Sequence, residues 1–194
     1  MLHTDLPILN DKEGDLIPNG LPGVIDSHIH IFPNMIFSAV WSWFDQHAWK
    51  IRYQMTTSYL IKYLLDHGIS HVVALQYAHK PGISEFLNSY MAKKCHEFKG
   101  QITGMATVFP GEPDADQILI KAFSDGLKGV KLHAHVQCFD MNAKEMDSIY
   151  DICEKQDKPM VMHAWLNQSI LSFENLEWIL HKSAELFFRI KRSD

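Results

Sequence analysis

Apolar residues recur along this chain in two alternating rhythms: short unbroken runs, and stripes with a period near 3.6. The runs follow turn-forming residues and have strand length. They cover Gly23 to His30, His71 to Gln76, Ile102 to Val108, Gly129 to Leu132 and Pro159 to Met162. Between them lie helical stripes. Leu60, Ile61, Leu64 and Leu65 run up to Gly68; Leu87, Tyr90, Met91, Cys95 and Phe98 to Gly100; and Ile118, Leu119, Ala122 and Phe123 to Gly126. Each glycine reads as a helix stop. A fourth stripe, Met146, Ile149, Tyr150 and Cys153, follows Asn142 and Glu145 in capping-box spacing. Strands alternating with amphipathic helices predict a parallel sheet, because every parallel pairing needs a crossover. The expected fold class is therefore α/β.

An open doubly wound sheet and a closed barrel share this alternation. Nothing resembling GxGxxG follows the first strand and no GxxxxGK[ST] occurs, so the nucleotide-binding versions lose their best support. The barrel gains support from its polar residues, which fall at the carboxyl ends of strands, where barrels build active sites. We read one domain: a polar lead-in over 1–21, a barrel segment over 22–164 and a helical tail over 165–194.

Composition narrows the function classes. The 194 residues are 46% hydrophobic and 21% charged, as in a globular chain with a sizeable core. The net charge of −5 is spread without a basic stripe, which argues against nucleic acid and anionic membranes as partners. Cys95, Cys138 and Cys153 match neither a disulfide framework nor a CxxC zinc site. The first twenty residues carry Asp5, Asp11, Glu13 and Asp15 and no apolar core of a signal peptide, and no apolar run approaches the ~20 residues of a membrane span. A cytoplasmic protein is expected.

Histidine changes the picture most, with 12 residues. His28 and His30 end the first strand, His133 and His135 follow the fourth, and His163 ends the fifth. The i, i+2 spacing puts the imidazoles of His28 and His30 on one side of a strand, where two neutral nitrogens are half of a metal site. Asp26 lies two residues earlier and could orient a ligand ring.

Three stretches carry a family resemblance. Val24-Ile25-Asp26-Ser27-His28-Ile29-His30-Ile31-Phe32-Pro33, Gly126-Leu127-Lys128-Gly129-Val130-Lys131-Leu132-His133 and Lys158-Pro159-Met160-Val161-Met162-His163 resemble the strand-one, strand-four and strand-five signatures of the amidohydrolase superfamily. More narrowly, they resemble its amidohydrolase-related group, which includes aminocarboxymuconate semialdehyde decarboxylase. The resemblance spans about Pro22 to Ala164. It implies a TIM-type (β/α) barrel with one divalent ion, usually zinc, at its carboxyl mouth, held by His28, His30 and His163. It implies a small-molecule substrate whose C–N or ester-like bond is hydrolysed through a metal-bound water, or a small carboxylate that is decarboxylated.

The family's further functional residues, a strand-six His and a strand-eight Asp, come later in such chains. A whole barrel needs ~250 residues, and about five of eight βα units are recognisable here, so the expectation is a C-terminally truncated barrel with no assigned catalytic residue. Two other readings stay open. One is an inactive fragment or pseudoenzyme, able to self-associate as a homo-oligomer or bind a partner through an open strand edge. The other is a TatD-like phosphoesterase, which would carry a Glu where this chain has Lys131-Leu132-His133.

Lys131 faces the same way as His133; a bridging role as a carbamate, seen in binuclear superfamily members, ranks below a structural or substrate-facing one. His133 and His135 are candidate substrate-binding residues. His67, His71, His79, His96 and His181 are expected to be solvated. The aromatic-rich segment Asn34 to Thr56 is either a lid or a small helix packed on the barrel. Glu112 and Asp114 are expected to form a turn and a helix cap.

Overall fold

In the computed structural model, Ile17 and residues 23–48 and 50–163 are described. The lead-in other than Ile17, Trp49, and the tail with His181 lie outside the described residues.

Five strands form where the apolar runs predict them: β1 (Val24–His30), β2 (Ile69–Leu75), β3 (Ile102–Gly104), β4 (Val130–His133) and β5 (Met160–His163). The helices are α1 (Asn34–His47), α2 (Thr57–Asp66), α3 (Ser84–Glu97), α4 (Ala115–Ser124), α5 (Ala134–Gln137) and α6 (Asp147–Lys155). All pairings are parallel and neighbours follow chain order, β1-β2-β3 and β4-β5. A single parallel bridge from Ala106 to Val130 joins the two ladders. A doubly wound sheet reverses its strand order at a switch point. Strict sequential order is instead that of a barrel wall.

The third strand is shorter than the run Ile102 to Val108 predicts. The Met105 N–H still donates to Ala74 O (3.0 Å), but the Ala106 N–H turns to Gly129 O (2.7 Å), and Lys131 N–H donates back to Ala106 O (2.7 Å). One residue further, the buried Asn88 side chain takes the place of a strand: Thr107 N–H donates to its Oδ1 and its Nδ2 donates to Thr107 O, both at 2.8 Å. The ladder stops because a side-chain amide has satisfied the backbone that would continue it.

Stops and caps divide in the same way. Gly68 (φ 96°) and Gly126 (φ 100°) sit in the left-handed region after α2 and α4, as their positions predict. The expected Asn142–Glu145 capping box does not form. Asp140 Oδ1 accepts the Asn142 N–H (2.8 Å) and Asp140 O the Ala143 N–H (3.0 Å), so the chain turns there and enters α6 through a 3-10 turn at Lys144–Met146. In α6, Ile149 and Cys153 are buried, whereas Tyr150 stays exposed and donates its hydroxyl to Met141 O (2.7 Å).

Between the strands and their helices lies the main core, built around Ile29, Val72, Ala74, Ala106, Val130, Leu132, Leu119 and Ile149. A second cluster sits under the carboxyl ends of β1 and β2: Phe32, Phe37, Ala78 and Leu87, with Trp41 and Tyr77 packed against it. It resolves the aromatic segment in favour of a helix. In α1, Phe37 meets Phe32 edge-on (5.6 Å between centroids) and Trp41 stacks on Phe37 (5.2 Å).

Gly129, just before β4, has no room for a side chain. A Cβ would strike the Pro159 carbonyl oxygen and Met105 Cε, and reach Pro159 Cγ at 2.9 Å; the same carbonyl accepts the Val130 N–H (2.9 Å) that starts the β4–β5 ladder. Gly129→Ala is expected to cost about 1–3 kcal/mol, read as a lowered urea midpoint; an unchanged midpoint would show that the ladder can shift to make room.

Candidate metal centre

Parallel strands in register deliver their carboxyl ends to one rim. His30 pairs with Leu75, Ala74 with both Ile29 and Gly104, and His133 directly with His163. The rim therefore collects His28, His30, Tyr77, Lys131, His133 and His163.

His28 and His30 approach through their ring nitrogens, Nε2 to Nε2, at 3.2 Å. A bulge prepares this: between Asp26 and Ile29 β1 advances three residues while β2 advances two. Within the bulge, Asp26 Oδ1 accepts the His28 backbone N–H (3.0 Å), so the carboxylate expected to orient a ring fixes the strand that carries it. His30 leans on the aromatic cluster, stacked against Phe32 (6.2 Å) and edge-on to Tyr77 (5.5 Å).

Across the rim His133 and His163 stack at 4.0 Å with an interplanar angle of 9°, the direct result of their pairing in the β4–β5 ladder. Tyr77 spans the two groups, edge-on to His133 at 5.0 Å. Nothing in the alternation of strands and helices marked Tyr77; its place just past the end of strand two was the available signal. His135 lies on α5, exposed, and its charge acts on His133 and His163. That short helix has no apolar period to betray it. It is held by the buried Gln137, whose Oε1 accepts the His133 N–H (2.7 Å) and whose Nε2 donates to Val108 O (2.9 Å).

Lys131 is fully buried and its Nζ has no hydrogen-bond partner. Burial lowers its amine to about 8. Burial also depresses each rim imidazole. His30 falls to about 3, with the charges of Lys131 and the other histidines adding to desolvation, and His133 to about 4, with His163 and Lys131 adding. His28 and His163 move the same way, by burial first and Lys131 next, against a small opposing pull of Asp26 on His28. At pH 7 the rim is thus a set of neutral imidazoles, the form that binds metal.

A divalent ion fits one part of this arrangement. Two imidazole nitrogens at ~2.05 Å from a tetrahedral zinc stand about 3.3 Å apart, close to the 3.2 Å observed between His28 and His30. The third expected donor is not brought to them: His163 stands against His133, and among the described residues no group of three or more His, Cys, Asp or Glu is gathered around one point. His30 Nδ1 is buried without a partner, so the ring lacks the outer hydrogen bond that usually orients a metal ligand.

The remaining candidates are structural. Glu112 is buried and accepts the Phe109 and Gly82 N–H groups (3.0 and 2.8 Å), tying two loops, and Asp114 caps α4 by position, with no side-chain bond to the helix. His71, expected to be solvated, is half-buried and bonded through Nε2 to Thr103 Oγ1 (2.9 Å) at the opposite end of β2. No helix among the described residues is long and apolar enough to cross a membrane.

Comparison with known proteins agrees with this picture. An amidohydrolase II crystal structure is similar at TM-score 0.60 and 18% identity, over 81% of this chain and 56% of that one. The 5-carboxyvanillate decarboxylase of Novosphingobium aromaticivorans, holding manganese and 3-methoxy-4-hydroxy-5-nitrobenzoic acid, is similar at TM-score 0.62 and 17% identity, over 87% and 58%. The decarboxylase of the same name from Sphingomonas paucimobilis gives TM-score 0.56 and 11% identity, over 87% and 66%. This chain thus spans little more than half the length of the first two. No curated protein matches it. At these identities the likeness is one of fold, and the fold is a TIM-type (β/α) barrel, of which the described residues form five strands. The sequence model of the amidohydrolase family matches residues 20–191, and the chain belongs to that family.

Proposed function

We propose that this chain supplies the strand-one and strand-five ligands of a zinc centre that acts on a small molecule, hydrolysing a C–N or ester-like bond or removing CO2 from a small carboxylate. The observation that carries the reading is the convergence of two neutral imidazole nitrogens, His28 Nε2 and His30 Nε2, at 3.2 Å on the carboxyl rim of a parallel barrel wall. His163 is the third ligand in this reading. It shares their rim, and its charge acts on both.

An all-imidazole donor set suits zinc, whereas carboxylate and water ligands suit manganese, the ion held by the Novosphingobium decarboxylase. When bound, the ion supplies Lewis acidity at the rim. The chain's own residues provide the rest: Asp26 and the bulge set the His28 backbone, Phe32 and Tyr77 hold the His30 ring, and His133 and His135 face the substrate space. In this reading residues 22–164 form the barrel segment, 1–21 a lead-in and 165–194 a tail of the same domain. Three free thiols, Cys95, Cys138 and Cys153, fit the reducing cytoplasm to which we assign it.

The test is metal content by mass spectrometry. The purified chain is expected to carry about one zinc or less per monomer, and His28→Ala combined with His30→Ala to remove it; unchanged metal in the double variant would sink the assignment. Hydrolysis of simple amides and esters, and CO2 release from hydroxylated aromatic acids, then separate the two reaction classes.

The neutral rim also makes the metal-free fold sensitive to acid. The unfolded chain protonates histidine near 6.5, while folding holds His30 neutral to about 3 and His133 to about 4. Between these values the unfolded state binds more protons, so stability is full above 6.5 and falls as pH drops, by up to about 1.4 kcal/mol per pH unit for each group. Urea midpoints of the chelator-treated chain are expected to decline from pH 7 to 5, less steeply in His30→Gln; equal slopes would show that His30 is not held neutral.

A further inference from the structure

Two charged side chains are buried among the described residues, Glu112 and Lys131. The carboxylate of Glu112 is satisfied by two backbone N–H groups. Lys131 is 0% exposed, and its Nζ, with three protons to donate, meets no acceptor. The groups its charge reaches are the imidazoles of His28, His30, His133 and His163. A buried cation without a partner opposes folding, and replacing it with an apolar residue of similar length would relieve that cost. A neutral imidazole can accept a hydrogen bond through its bare ring nitrogen, yet it carries no negative charge to balance the ammonium.

Flat rings gather on the rim that carries this amine. Tyr77 stands edge-on to both His30 and His133, at 5.5 and 5.0 Å, and His133 and His163 are stacked beside it. An occupant that completes the site brings one negative charge and a planar body.

We infer that Lys131 is the specificity-determining anchor for the carboxylate of a small planar acid, paired with its ammonium at the rim that also carries Tyr77 and His133. This rests on the reading of the rim as the substrate site. It differs from the bridging carbamate that the superfamily resemblance suggests, because the amine itself remains free to bind. A charge-assisted hydrogen bond in a dry site separates an acid from its neutral amide by about tenfold or more.

Benzoate and benzamide, titrated calorimetrically into the full chain with zinc and after chelation, provide the test. The wild type is expected to bind benzoate at least about tenfold more tightly than benzamide, Lys131→Arg to keep part of that preference, and Lys131→Met to erase it. Without ligand, Lys131→Met is expected to melt a few degrees higher; a variant that fails to fold would overturn the inference, which requires the unpaired amine to cost stability. Equal benzoate affinity in wild type and Lys131→Met would overturn it, as would a carbamate carbon on Lys131 after labelling with 13C-bicarbonate. Benzoate binding lost on chelation but indifferent to Lys131→Met would assign the carboxylate to the ion, ending the anchor and sparing the metal centre. Lys131-dependent binding in a chain whose zinc survives loss of His28 and His30 would do the reverse.

Discussion

Parallel pairing in chain order is the constraint on which the rest of this molecule depends. Antiparallel strands would send alternate carboxyl ends to opposite edges. Here every crossover returns the chain to the same edge, so residues more than 130 positions apart, His28 and His163, arrive at one rim. The crossover helices cover one face of the wall and the core between them leaves the rim to whatever ends each strand. Even the local irregularities serve this geometry. The bulge in β1 turns two histidines toward each other, and the side chain of Asn88 ends β3 where the rim begins.

Electrostatics then selects protonation states. A rim that gathers four imidazoles and an amine cannot hold five positive charges at separations of a few ångströms in a partly dry site. Burial acts first on every one of these groups, and the charge of Lys131 adds to it on each imidazole. Lys131 keeps its proton near neutrality because its amine starts far higher on the scale. One cation among neutral nitrogen donors is an environment for an electron-rich guest, and the two chemical roles argued for it, cation ligation and anion anchoring, draw on different members of the same cluster.

Much of this was legible in the sequence. The five strands and the four crossover helices follow from period and punctuation, since Gly68, Gly100 and Gly126 mark stops and the apolar runs have strand length. The His28–His30 pair follows from the period of two. Features set by contacts distant in sequence did not show. The α5 turn depends on Gln137 reaching Val108, the shortened third strand on Asn88, and the failed capping box on Asp140 claiming the Asn142 N–H. The direction of Lys131, the same as that of His133, was legible from the strand period, but its complete burial without a partner was not, because lysine is seldom enclosed unless paired.

The contrast between the close His28–His30 pair and the more distant His163 has a physical origin. His28 and His30 belong to one strand, so their separation is set by covalent geometry and one bulge. His133 and His163 belong to adjacent strands, so a single ladder sets theirs and stacks the rings at 4.0 Å. The span from His30 to His163 crosses β2, β3 and β4, including the one isolated bridge at Ala106, and depends on the summed twist and curvature of the wall. Small angular differences at each pairing accumulate over that span. Intrastrand geometry is therefore already at metal-binding distance, while the distance from the pair to His163 is the softest coordinate of the site, the one on which a ligand held between them would act.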